Sequence, residues 1–136
     1  MGFMSADRRL AHIERIPIRW GDMDAMGHVN NTVYFRFMEQ ARISWFRALV
    51  PEREAWVSTG IVIANASCNY KRAITYPGTV EVRLFVAKPG GSSVATHYEL
   101  RVDADPVPYA DGAALVVFVD MKQQKSKRIP DGIRER

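Results

Sequence analysis

The sequence has 136 residues, of which 47% are hydrophobic and 25% are charged, and its formal net charge is +4. This length predicts one domain, and the composition excludes a disordered, fibrous or membrane-spanning class of protein. A single cysteine, Cys68, excludes an intrachain disulfide framework and suits a reducing compartment. The mild basic excess favours an anionic partner without choosing among nucleic acid, anionic lipid and a phosphorylated small molecule.

The two ends of the chain carry no obvious targeting signal. Charged residues stand in the N-terminal segment where a secretory signal would need an apolar core, and no run of about 18 apolar residues occurs anywhere. We therefore expect a cytoplasmic protein with no membrane partner. Residues 1–11 are predicted to be a loose lead-in and residues 122–136 a basic tail of one domain that covers residues 1–136.

The first periodic segment runs from Glu14 to Trp20. Ile16, Ile18 and Trp20 alternate with polar residues, which predicts a half-buried strand, and Pro17 indicates a sheet edge or a bulge.

The period then changes to that of a helix over residues 31–49. Apolar residues recur at helical spacing, and they are Val33, Tyr34, Phe37, Met38, Ala41, Trp45 and Ala48. An amphipathic helix of about five turns is predicted, with its N-cap at Asn30 or Asn31 and its end before Pro51.

Four more strands are predicted after the helix. In the first, the apolar face is Val62, Ala64, Ala66, Cys68 and Tyr70. The segments 80–86 and 94–102 alternate in the same way, while residues 113–119 are apolar on both faces, as in a central strand. Short turns favour antiparallel pairing, and one helix must then cover the apolar face of a five-stranded sheet. This arrangement belongs to the α+β class, and its open sheet edges favour self-association.

The loop between the first strand and the helix carries most of the chemistry. Residues 20–31 contain five polar side chains that could act in a site, namely Asp22, Asp24, His28, Asn30 and Asn31. Because the first N–H groups of a helix are unpaired, negative charge is stabilised beside them. A well-capped turn explains the same residues without any activity. A metal site is a further alternative, either like an EF-hand, with Asp22, Asp24 and Gly27 in fitting positions, or built on Asp22, Asp24 and His28.

The string WGDMDAMGHVNN at residues 20–31, followed by Tyr34 and by EQAR at residues 39–42, resembles the signature of hotdog-fold acyl-CoA thioesterases. The resemblance is in particular to the subgroup named after 4-hydroxybenzoyl-CoA thioesterase, and HVNN also resembles plant acyl-ACP thioesterases. It implies a hotdog fold, in which a five-stranded antiparallel sheet wraps around one long helix. It also implies hydrolysis of an acyl-CoA without a metal or other cofactor, in a homodimer or homotetramer.

The resemblance also implies roles for residues of the loop. Asp24 would be the catalytic carboxylate, acting as nucleophile or as general base. Backbone N–H groups near Asn31 and Thr32 would polarise the thioester carbonyl. His28 would orient water or substrate, or hold the loop by hydrogen bonds, and Glu39 would be an exposed helix residue or a carboxylate contributed to a second subunit.

Residues elsewhere in the chain are expected to bind the substrate, namely Tyr34, Lys71, Arg72, Gly91, Ser92 and Ser93. Residues 70–72 fall where the family has Tyr-x-x-Pro, with Ala73 in place of the proline. The turn at residues 90–93 resembles a Gly-Ser turn that could present N–H groups to phosphate, although a plain hairpin loop would have the same sequence.

Other functions remain open at this point. A non-catalytic acyl-CoA-binding or regulatory module would have the same fold, with Asp24 as an ordinary loop residue. A hotdog dehydratase would need a His-Phe-Pro segment that the sequence lacks. No nucleic-acid partner is expected, because the aromatic residues Tyr34, Phe37 and Trp45 lie on the core face of a helix rather than among basic residues of a strand.

Overall fold

The computed structural model describes residues 8–52, 59–130 and 133. In chain order the elements are β1 (Arg9–Pro17), a short 3-10 turn (Trp20–Asp22), α1 (Asn31–Leu49), β2 (Thr59–Tyr70), β3 (Thr79–Val86), β4 (Ser93–Val102), β5 (Ala110–Asp120) and β6 (Lys125–Ser126).

Helix α1 has the predicted bounds. Its N-cap is Asn30, whose side chain accepts a hydrogen bond from the backbone N–H of Thr32. The helix buries Tyr34, Phe37, Met38, Ala41, Trp45 and Phe46. Ala48, which was predicted to face the core, is exposed, and Phe46 takes the buried position on the last turns instead. The core placement of Tyr34, Phe37 and Trp45 is therefore confirmed.

The strands form one antiparallel sheet in the order β1-β3-β4-β5-β2, with the two-residue β6 added beside β5. Strands β3 and β4 alternate strictly between buried and half-buried residues. The buried side chains, among them Val82, Leu84, Leu100 and Phe118, face α1 and form the core. The predicted α+β arrangement of five antiparallel strands and one long helix, the hotdog fold, is confirmed. The predicted central strand is β5, which lies between β4 and β2.

The first strand differs from its predicted bounds. Strand β1 starts at Arg9, paired with Val86, so residues 9–11 belong to the sheet and not to a lead-in. It ends at Pro17, and Trp20 is 73% exposed in the 3-10 turn. The reason is local, because the carboxylate of Asp22 accepts the backbone N–H of Arg19 and bends the chain there. Residues 1–7 lie outside the described residues.

Strand β2 differs from the prediction in its surroundings. It pairs with β5 and forms an edge of the sheet. Residues 62–67 are exposed on both faces of the strand, so the predicted burial of Val62, Ala64 and Ala66 is wrong for the single chain. The single apolar face predicted for this strand is also wrong, because a β-bulge between Ile63 and Asn65 shifts the register and puts Val62 on the opposite face from Ala66, Cys68 and Tyr70.

The predicted basic tail is partly ordered by the sheet. Lys125 and Ser126 pair with β5, and Ile129 is buried at 2% exposure. Across the described residues, no helix is both long and apolar enough to cross a bilayer.

A substitution at Gly112 of β5 tests how tightly α1 packs on the sheet. A Cβ at this position would lie 2.5 Å from the sulfur of Met38 and 2.8 Å from the carbonyl oxygen of Ser67. We expect Gly112→Ala to lower the free energy of unfolding by about 1–3 kcal/mol, because the backbone oxygen cannot move away cheaply. Urea unfolding measures it, with Gly91→Ala as control, since a Cβ at Gly91 meets nothing within 4 Å. Equal effects of the two substitutions would contradict this packing.

Candidate active site

The two aspartates of the loop have different environments. Asp22 is buried at 4% exposure, and its carboxylate accepts the backbone N–H of Arg19 at 2.8 Å and the guanidinium of Arg19 at 3.0 Å. Asp24 is exposed. Asp22 therefore holds the turn, and Asp24 is the carboxylate that a substrate can reach.

A small closed turn presents Asp24. An antiparallel bridge joins Met23 to Val29, and the N–H of Asp24 donates to the carbonyl of His28 at 2.9 Å. Gly27 has a φ of +80°, a conformation that favours glycine, and its N–H donates to the carbonyl of Asp24. The backbone around Asp24 is thus fixed by hydrogen bonds of the loop itself.

The side chain of Asn30 connects this turn to the start of α1. Its amide group donates to one carboxylate oxygen of Asp24 at 3.2 Å, while the N–H of Met26 donates to the other at 2.9 Å. The amide oxygen of Asn30 accepts from the backbone N–H and the hydroxyl of Thr32, at 2.9 Å and 2.6 Å. One side chain therefore caps the helix and orients the carboxylate.

The first turn of α1 leaves one donor without an acceptor. The N–H of Asn30 donates to Asp22, that of Val33 to the carbonyl of Asn30, and that of Thr32 to the Asn30 side chain. Within the described part of the chain, the N–H of Asn31 has no acceptor. Since helix N-termini are electropositive, Asn31 offers a place for developing negative charge, and Thr32, which was also predicted as a donor, is engaged in the cap.

A pocket of about 360 Å³ lies over these groups. It is lined by Asp24, Met26, His28, Val29, Asn31, Tyr34, Tyr70, Lys71, Arg72 and Ala73. It therefore brings together the three predicted catalytic residues and three of the predicted substrate-binding residues. Its volume lies within the range of small-molecule sites.

The basic residues of the pocket wall are neutralised by acidic neighbours. Lys71 forms an ion pair with Asp111 at 2.7 Å, and this hydrogen bond raises the pKa of Lys71. Arg72 pairs with Asp105 at 3.0 Å and lies over the ring of Tyr109, 3.8 Å from its centroid. Each of the two side chains thus has an acidic partner within the chain, and neither presents an uncompensated charge to a phosphate.

The turn that contains Gly91, Ser92 and Ser93 lies elsewhere. It follows β3 at the end of the sheet opposite to the Asp24 loop, and the eight residues of β3 span roughly 25 Å. There the carbonyl of Gly91 accepts from Ile129 and that of Ser92 accepts from Phe118. Within one chain, this turn does not belong to the pocket.

Two residues of the site were missed as functional by the sequence analysis. Asn30 was predicted only as a cap, and its bond to Asp24 depends on the Met23–Val29 bridge, which the sequence pattern does not reveal. Tyr70 was placed on the apolar face of β2, yet its hydroxyl donates to the carbonyl of Asn31 at 3.0 Å. The adjacent Cys68 is no alternative nucleophile, because burial raises the pKa of its thiol to about 11.

The structure does not support the metal site that the sequence left open as an alternative. Among the described residues, no group of three or more His, Cys, Asp and Glu side chains is arranged to hold an ion, and Asp22, Asp24 and His28 are all described.

A comparison with protein families identifies the superfamily of the chain. The family model described as "Thioesterase-like superfamily" matches residues 18–136. The chain belongs to this superfamily. This confirms the predicted recognition of a thioesterase on the hotdog fold, while assignment to the 4-hydroxybenzoyl-CoA subgroup stays a prediction.

Solved structures and a curated relative agree with this thioesterase-like assignment. The PA2801 protein of Pseudomonas aeruginosa, proposed to be a thioesterase, is 38% identical with a TM-score of 0.86, over 93% of this chain and 98% of that one. A thioesterase from Thermus thermophilus, complexed with coenzyme A and Zn, is 27% identical with a TM-score of 0.81, over 94% of this chain and 98% of that one. The long-chain acyl-CoA thioesterase FadM of Escherichia coli is 24% identical over 90% of this chain and 93% of its own length.

The capping role of Asn30 can be tested by measuring the free energy of unfolding. We expect Asn30→Ala to lower the free energy of unfolding by about 1 kcal/mol, because the cap of α1 is lost. Asn30→Asp keeps the capping oxygen and is expected to cost less than about 0.5 kcal/mol in high salt, which screens its repulsion with Asp24. Urea unfolding in high salt measures both. Equal losses in the two variants would show that Asn30 does not act as the cap.

Proposed function

We propose that the protein hydrolyses an acyl-CoA thioester to a free carboxylic acid and CoA, with Asp24 as nucleophile or general base. One observation carries the proposal: the Asp24 carboxylate is held by Asn30 beside the unpaired N–H of Asn31, in a pocket large enough for a thioester. The superfamily and the CoA-bound relative from Thermus thermophilus support the choice of substrate.

The carbonyl of the thioester would be polarised by the start of α1. Its oxygen would accept from the Asn31 N–H, and a preorganised donor of this kind contributes about 3 kcal/mol to stabilising the developing negative charge. The electropositive end of the helix acts in the same direction. Asn31 therefore acts through its backbone, and its side chain is not needed for the chemistry.

Two routes lead from this geometry to the products. In the first, a carboxylate oxygen of Asp24 attacks the carbonyl carbon, the C–S bond breaks, and water then hydrolyses the resulting anhydride. In the second, Asp24 takes a proton from a water that attacks the carbonyl directly, the C–S bond breaks, and the proton passes from Asp24 to the departing CoA thiolate. His28, on the wall of the same pocket, would orient the water or the substrate in either route.

A second subunit is part of the proposal. Strand β2 has twelve residues at an open sheet edge, and it exposes Val62 at 47% and Ile63 at 36%. A long edge with exposed apolar residues is a template for pairing with the strand of another chain. We propose a homodimer in which the β2 strands of two copies pair across a two-fold axis, and a homotetramer would consist of two such dimers.

This pairing would also bring the turn at residues 91–93 into use. Antiparallel pairing of two β2 strands reverses the ends of the partner's sheet relative to the first sheet. The partner's turn would then lie at the end that carries the Asp24 pocket, about three strand spacings or roughly 15 Å from β2 of the first chain. The N–H groups of Gly91, Ser92 and Ser93 would thus bind the phosphates of a CoA whose thioester lies in the other subunit.

The alternative function is a non-catalytic acyl-CoA-binding or regulatory module of the same fold. It would use the same pocket, and it differs in that Asp24 would take no part in bond breaking. The proposal places the protein in the cytoplasm, where Cys68 would stay a free thiol.

The activity and the role of Asp24 are tested together by thiol release. With a panel of short-chain, long-chain and aromatic acyl-CoAs, we expect wild type to release CoA thiol and Asp24→Asn to lose at least about a hundredfold in rate. Glu52→Gln, which removes an exposed carboxylate beyond the end of α1, is the control and should match wild type. Equal rates for wild type and Asp24→Asn would remove Asp24 from the mechanism. Tight CoA binding without turnover across the panel would favour the binding module.

The homodimer is tested by light scattering coupled to size-exclusion chromatography. We expect wild type at twice the chain mass and Val62→Lys shifted toward the monomer, because a charge on the paired edge opposes association. Val107→Lys changes a similarly exposed apolar residue in the turn after β4 and should leave the mass unchanged. A fully active wild-type monomer would contradict the proposed completion of the site.

A further inference from the structure

We propose that Tyr70 is a positioning residue, whose hydroxyl holds the first turn of α1 so that the Asn31 N–H stays aimed at the reacting carbonyl. The inference rests on the proposed thioester hydrolysis and adds a residue to it. Its basis is one contact: the Tyr70 hydroxyl donates to the carbonyl of Asn31 at 3.0 Å. The same residue, Asn31, carries the unpaired N–H of the helix start.

The end of β2 that carries Tyr70 is well anchored. Tyr70 pairs with Ala110 of β5, and the N–H groups of Lys71 and Arg72 both donate to the carbonyl of Tyr109 at 3.0 Å. Tyr70 is therefore attached to a segment that is fixed from the interior of the sheet, and it can transmit that rigidity to α1.

The ring of Tyr70 is oriented by a second contact. It meets the ring of Tyr34 edge to face, with 4.8 Å between the centroids. Tyr34 is a buried residue of α1, so the ring and the hydroxyl of Tyr70 contact the same helix one turn apart. Partial burial raises the pKa of Tyr70, which keeps its hydroxyl protonated and able to donate at neutral pH.

The direction of the hydroxyl separates this role from catalysis. Tyr70 lines the pocket, but its proton is given to Asn31 and not to the space that the substrate would fill. It would therefore act through Asn31. A donor of an oxyanion hole acts when it lies about 2.7–3.1 Å from the position of the oxyanion, so a displaced donor stabilises the transition state less. Loosening the donor should lower kcat and leave KM nearly unchanged.

Tyr70→Phe removes only the hydroxyl and keeps the contact with Tyr34. We expect kcat for acyl-CoA hydrolysis to fall about tenfold, with KM within about twofold of wild type. Tyr76→Phe is the matched control, because Tyr76 is 44% exposed and Tyr70 is 45% exposed, and Tyr76 does not line the pocket. Rates are divided by the folded fraction from a thermal melt, so that a loss of folded protein is not counted as a loss of kcat.

Amide hydrogen exchange measured by NMR gives a readout that does not require activity. We expect Tyr70→Phe to speed exchange of the Thr32 and Val33 amides, whose hydrogen bonds close the first turn, at least severalfold and to leave the amides of residues 38–46 unchanged. An unchanged kcat, a tenfold loss shared by Tyr76→Phe, or unchanged exchange at the first turn would each overturn the inference. If no variant and no wild-type protein hydrolyses any acyl-CoA, the proposed function fails, and the exchange measurement still decides whether Tyr70 holds the helix start.

Discussion

The structure of the site depends on the side chain of Asn30. Its oxygen caps α1 through Thr32 and its nitrogen holds the carboxylate of Asp24. Without this amide, the Asp24 carboxylate would keep the N–H of Met26 in its own turn, but its side-chain bond to the capping residue of α1 would be lost. With the link in place, Asp24 and Asn31, which carries the unpaired amide, line one pocket.

The different environments of Asp22 and Asp24 follow from the hydrogen bonds of the loop. The carboxylate of Asp22 accepts hydrogen bonds from the backbone and the side chain of Arg19, so it is not available to a substrate. The same bonds end β1 and set the direction of the loop. Asp24 keeps its carboxylate exposed and held by neutral donors. A spacing of two residues thus yields one carboxylate that is used within the fold and one that a substrate can reach.

Much of the fold was predictable because it depends on periodicity. The bounds of α1 follow from apolar spacing together with Asn30 and Pro51, and the buried alternation of β3 and β4 follows from their own sequence. Strand β2 was not predictable in this way. The bulge between Ile63 and Asn65 shifts the alternation, and alternation alone does not show whether anything covers a face. The exposed position of Trp20 was missed because the hydrogen bonds of Asp22 end the strand before its apolar pattern ends.

The candidate site was predictable where residue types are distinctive and not where contacts are long-range. Asp24, His28 and Asn31 are close in sequence and meet in the pocket, as expected. The ion pairs that neutralise Lys71 and Arg72 join residues more than thirty positions apart, so the sequence alone suggested free charges. The distance between the turn at residues 91–93 and Asp24 was also not predictable from residue types. It follows from the strand directions, which put the two at opposite ends of the sheet within one chain.

The most direct test of the central claim is a crystal structure with an acyl-CoA analogue in which a CH₂ group replaces the thioester sulfur. We predict that the ketone oxygen lies about 3 Å from the Asn31 nitrogen and that the ketone carbon faces the Asp24 carboxylate, either directly at about 3.5 Å or less or through one water. A ketone bound away from the start of α1, or an Asp24 side chain turned away from it, would contradict the account.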